Sequence, residues 1–135
     1  MEAVSKPTSA PDYFAKAERA LEGARALLAI GDAEGACSRA YYAVFDAAHA
    51  ALIAEGFGDA VAGIKTHNGL LAYFSKALVR TERVAIAFGK TLNQVQRLRL
   101  AADYFHDPVS PADAAWAVER AEEFLRAVAA MVSTI

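Results

Sequence analysis

The chain has 135 residues, is 56% hydrophobic and carries a net charge of −2 at pH 7, which suits one domain large enough to bury a core without metal or disulfide staples. No apolar run approaches the roughly 18 residues that a membrane span needs, and the lone cysteine, Cys37, makes neither an internal disulfide nor a thiolate cluster for zinc. The acidic balance argues against a protein that coats nucleic acid over its whole surface.

The opening MEAVSKPTSAP lacks the basic start and apolar middle of a signal peptide. Residues 1–10 therefore read as a flexible tail of a cytoplasmic protein, and residues 11–135 as a single folded domain. Phe14, Ala17, Leu21, Ala24 and Leu28 step by three and four, predicting a helix with one buried face that ends at Gly31. Asp32 is a natural N-cap for a second helix, running to about Glu55 until GFGDAVAG breaks it. Thr66 caps a third through HNGLLAYFSKALV. A fourth starts after Thr81 with no evident cap, carries Val95, Leu98, Ala102 and Phe105 at helical spacing, and ends before Pro108. In SPAD, from Ser110, an N-cap serine, a proline at the first helical position and an acid at the third open the last helix. Its core stripe is Ala114, Ala117, Val118, Ala121, Leu125, Val128 and Val132. No segment alternates like a strand, so the chain is all-α: an antiparallel four-helix up-and-down bundle with an additional short helix, five helices in all.

Three polar features stand out against this frame. From Ile64 to Arg99 there are seven basic residues and one acid, Glu82, a local charge of +6 in an acidic chain. Solvated helix faces or an anion-binding surface would each account for it. Arg99, Asp103 and His106 lie at i, i+4 and i+7, within roughly 60° of one another on a helix. They form either a polar stripe, with Arg99 paired to Asp103 one turn on and His106 near a helix C-terminus, or a site. As a site they would pair an imidazole, a base near neutral pH, with a forked guanidinium able to hold developing negative charge. On the second helix Arg39, Tyr42, Asp46 and His49 make another polar stripe, in which Tyr42 and Asp46 are candidates for binding or orienting. Asp46 can fix the tautomer of His106 only if the two helices pack side by side. His67, at a helix start, reads as a neutral hydrogen-bonding residue with no partner nearby in sequence. No helix carries a His-x-x-x-His or Glu-x-x-His pair, and GFGDAVAG follows a helix and lacks the lysine of a phosphate loop. Neither a metal nor a cofactor is expected.

Three stretches, in order, resemble the HEPN family of small helical-bundle proteins, in particular short stand-alone prokaryotic members: SRAYYAVFDAAHAALIAEG, KTHNG and Arg99-Leu-Ala-Ala-Asp103-Tyr104. The resemblance implies a HEPN-like bundle over nearly the whole chain. It also implies a metal-independent ribonuclease whose motif is an arginine followed after four to six residues by a histidine, which Arg99 and His106 fit. Dimerisation would bring two such motifs together, and Asp103 and Tyr104 fall within the same motif. The implied role is the toxin half of a toxin–antitoxin pair, with a homodimer, a nucleotidyltransferase-type antitoxin, and RNA or nucleotide as partners and no membrane. Nuclease toxins of the family commonly carry a tyrosine two residues after the histidine, where this chain has Pro108. A second reading therefore stays open, a non-catalytic HEPN module that binds nucleotide or partners a nucleotidyltransferase.

Overall fold

Local chemistry at the helix ends sets the course of the chain. The computed structural model describes residues 9–104 and 109–133, and every regular element among them is helical. Helix α1 (Ala10–Ala29) starts at Ser9, whose hydroxyl accepts from the Asp12 N–H at 3.1 Å, with Pro11 in the first turn. This places the helix start one residue inside the stretch expected as tail. At the other end Gly31 takes a φ of 85°. Its N–H donates to the Leu28 carbonyl at 3.1 Å and that of Asp32 to Leu27 at 2.9 Å, the paired closure that a left-handed residue permits. The Asp32 carboxylate then accepts from the Gly35 N–H at 2.8 Å and caps α2 (Ala33–Ala54). So tight a reversal makes α1 and α2 antiparallel neighbours.

The same closure recurs at Gly56, with φ 94° and a 2.9 Å bond from the Phe57 N–H to Leu52. The chain then forms a short helix, α3 (Gly58–Ala62), where the sequence predicts only a break. No side chain caps it, so it carried no local signal. Thr66 caps α4 (His67–Phe74) through a 2.9 Å bond from the Gly69 N–H. This helix runs on into one π turn, Ser75–Val79, closed by the Arg80 N–H donating to Ser75 at 2.9 Å. Helices α5 (Ile86–Tyr104) and α6 (Pro111–Val132) complete the bundle, α6 capped by Ser110 accepting from the Asp113 N–H at 3.0 Å. The predicted all-α architecture holds, with six α-helices among the described residues in place of five.

Helix α2 is the axis, packed against α1, α5 and α6. Ala36, Ala40, Val44, Ala47 and Ala51 are fully buried there, which fits a helix apolar almost all round. Tyr41, Phe74 and Phe124 are the largest fully buried side chains. Where α5 passes the π turn, a Cβ on Gly89 would come within 3.2 Å of a Val79 methyl, so the glycine allows a close crossing. No described helix is long and apolar enough to cross a membrane.

Candidate functional site

Three helices bring together residues that lie far apart in the chain. Arg99 points inward from α5, its side chain 11% exposed. Its guanidinium lies over the Tyr41 ring of α2, 4.7 Å from the centroid, and donates to the Asp103 carboxylate at 3.3 Å. The Arg99–Asp103 pair of the polar-stripe reading therefore exists, but its arginine is covered by an aromatic residue of another helix. A shielded cation over a ring is held by about 2 kcal/mol; an i, i+4 pair at the surface contributes only about 0.3–0.5 kcal/mol. Arg99 Nε is buried with no hydrogen-bond partner. That nitrogen is closed off from solvent, so an anion would meet the terminal N–H groups of the guanidinium, in a setting where such a contact is stronger than in water.

His67, the first residue of α4, lies against the same ring. Its Nδ1 is 2.9 Å from Tyr41 Oη, and its ring packs on Phe45 at 4.4 Å between centroids with the edge of Tyr42 at 6.0 Å. Burial, then the Arg99 charge, hold His67 below the ordinary histidine range, so the imidazole is neutral near pH 7. Burial pushes the Tyr41 hydroxyl up to about 12, with Arg99 pulling the other way, so it keeps its proton. A neutral imidazole and a protonated phenol thus share one hydrogen bond beside a cation. Next to it Gln96 donates to Asn68 at 2.7 Å and ties α5 to the first turn of α4. Sequence reasoning missed this role of His67, because Tyr41 is 26 residues away and on a different helix. The one signal available was the Thr66 cap in KTHNG, which fixes where the imidazole starts its helix.

Of the other expected site residues, Tyr42 joins this cluster, Asp103 holds Arg99, and Tyr104 stands 70% exposed on the same turn of α5. His106 and Phe105 lie outside the described residues. Asp46 is buried at 5% exposure, with Lys16 of α1 and Arg39 as its charged neighbours; burial raises its carboxyl pKa against their pull. His49 belongs to the same side, stacked on Tyr13 of α1 at 4.0 Å and 12°. Burial, with Lys16 adding, pushes it down to about 4, and its Nδ1 is buried without a partner. Asp46, His49 and Tyr13 thus form a second polar cluster between α1 and α2, of which Tyr13 and His49 line a groove of about 340 Å³ together with Asp59 and Val61. Among the described residues no three His, Cys, Asp or Glu side chains converge to hold a metal ion.

Comparison with known proteins matches residues 10–131 to the family model described as the HEPN domain. The chain is 32% identical over 93 residues, 69% of its length, to a Gloeobacter violaceus protein named UPF0332 protein glr0978, covering 70% of that relative. It is 33% identical over 89 residues to a UPF0332 protein of Thermotoga maritima, covering 66% of this chain and 64% of the relative. A Methanocaldococcus jannaschii protein named "Putative toxin MJ0142" is 29% identical over 89 residues, 66% of this chain and 57% of its own length. The matched stretches thus span between 57% and 70% of these curated relatives.

Proposed function

The chain belongs to the HEPN domain family, and from that premise we propose that it is a metal-independent endoribonuclease, working as a homodimer and forming the toxin half of a toxin–antitoxin pair. The observation that carries this reading is Arg99, a shielded guanidinium held over the ring of Tyr41 at 4.7 Å. It is the kind of group that stabilises charge building on a phosphate. In the proposed reaction His106 accepts the 2′-hydroxyl proton as the 2′-oxygen attacks phosphorus. The bond to the 5′-oxygen breaks, and that oxygen takes up a proton, leaving a 2′,3′-cyclic phosphate and a 5′-hydroxyl. Asp103 and Tyr42 orient the guanidinium and the neighbouring ring of His67, and the two protomers face each other across a shared groove. The relative named as a putative toxin supports the biological role, and a nucleotidyltransferase-type antitoxin is the proposed partner.

Asp103 favours a second reading, because its carboxylate takes up part of the guanidinium that a phosphate would need. On that reading the protein is a non-catalytic module that binds nucleotide or a nucleotidyltransferase, in keeping with Pro108 in place of the tyrosine of nuclease toxins. Incubating purified protein with structured and unstructured RNAs in excess EDTA separates the two. Discrete fragments on a denaturing gel support the ribonuclease. Intact RNA alongside measurable nucleotide binding supports the module.

A further inference from the structure

The basic stretch becomes informative once the helices are placed. Lys65, two residues before α4, Lys76 in the π turn and Arg80 just after it are all exposed. Lys90 and Arg97, seven residues apart, share the outward side of α5 and are exposed as well. The two helices run side by side, tied by the Gln96–Asn68 bond at one end and the close approach of Gly89 to Val79 at the other. Their outward sides therefore make one surface. No ion pair involves any of these five cations among the described residues, whereas Arg83 is paired to Glu55 and Arg99 to Asp103. Residues 67–79 and 86–99 contain no carboxylate, and the groups between the cations include the amides of Asn68, Asn93 and Gln96. From His67 to Val79 the helical run spans roughly 18 Å at about 1.5 Å per residue.

We propose that this two-helix face is a track that holds single-stranded RNA, an inference that rests on the ribonuclease reading and names how its substrate is bound. Unpaired cations with amides and no carboxylates between them suit a phosphate backbone that carries a charge on every nucleotide. A protein partner would be expected to dock on a central aromatic or apolar anchor, and the middle of the α4 edge holds only Ala72. The track ends beside Asn68, next to His67, while Arg99, two residues after Arg97, faces the inner side of α5. Tyr104, seven residues beyond Arg97 and 70% exposed, offers a ring there on which a base can stack.

The test is binding of a fluorescent 12-nucleotide oligouridylate to the full-length protein, read by anisotropy between 50 and 200 mM salt. With five contacts and a slope of about −0.7 per phosphate neutralised, affinity falls about 100-fold over that range. In the triple variant Lys76→Gln, Arg80→Gln, Lys90→Gln, which leaves the Arg99 cluster untouched, two contacts remain and the fall is only about 7-fold. An unchanged salt dependence in the triple variant overturns the track, as does polyglutamate binding the wild type as tightly as the RNA, which would assign the face to an acidic polypeptide. The salt response with no cleavage at any salt would sink the ribonuclease and leave the track standing. Cleavage with a salt response indifferent to the three substitutions would do the reverse.

Discussion

His49 gives the fold a stability that depends on pH in a direction the structure dictates. The ordinary histidine pKa of 6.5 falls to about 4 in the fold, first through burial and then through Lys16. The unfolded chain therefore binds more protons than the native one between these values, so stability is lost as pH falls below about 6.5 and the loss is complete below about 4. Linkage for that shift gives about 2 kcal/mol at pH 5 and about 0.8 kcal/mol at pH 6. His49 is only partly covered beside its groove, so solvent screening brings the first figure to about 1 kcal/mol. Asp46 acts in the opposite sense, because its raised carboxyl pKa makes protonation of the native state stabilising at low pH. His67, also lowered, acts in the same sense as His49. The informative quantity is therefore the difference between wild type and His49→Phe, which keeps a ring against Tyr13 and removes the titration. Urea unfolding at pH 7, 6 and 5 should show wild type losing about 1 kcal/mol more than the variant between pH 7 and 5. Parallel pH profiles for the two proteins would refute the assignment of His49 as a buried neutral imidazole.

Glu82 holds a φ of 62° in the turn after the π segment, where its N–H donates to Val79 and that of Arg83 to Leu78. A side chain there costs about 1–2 kcal/mol, so Glu82→Gly should raise stability by about 0.5–1 kcal/mol in urea unfolding, after the entropy glycine adds to the unfolded chain. Ser110→Ala, which leaves the Asp113 N–H without its cap, should cost about 1 kcal/mol by the same measurement. Light scattering on a gel-filtration peak should give twice the 14.3 kDa chain mass. A single-chain mass at micromolar concentration would remove the shared groove from the mechanism.

The helix ends were legible because their chemistry is local. Asp32, Thr66 and Ser110 each accept a hydrogen bond from the residue three positions on, and the sequence displays that spacing directly. Helix α3 was not legible, since it follows the Gly56 reversal and has no capping side chain of its own. By spacing alone the polar stripe on α2 is one surface, yet its members part company. Tyr42 faces His67, while Asp46 and His49 lie with Lys16 and Tyr13 of α1. A helix covered on nearly every side has no single polar face, and the sequence cannot say which neighbour each residue meets. The Arg99–Asp103 pair, four residues apart, was visible as a spacing. The ring of Tyr41 above it and the imidazole of His67 beside it come from other helices, so only the packing of the bundle brings them together.

The central claim is that Arg99 and His106 cleave RNA without metal, and end-group analysis of the products addresses it most directly. A 5′-labelled RNA is incubated in EDTA with the wild type, Arg99→Ala and His106→Ala, each confirmed helical by circular dichroism. The wild type should give fragments ending in a 2′,3′-cyclic phosphate. Rates should be lower by about 10²-fold or more in each variant, the usual loss when a general base or a transition-state cation is removed. Intact RNA with the dimeric wild type, or variants that cleave at the wild-type rate, would contradict it.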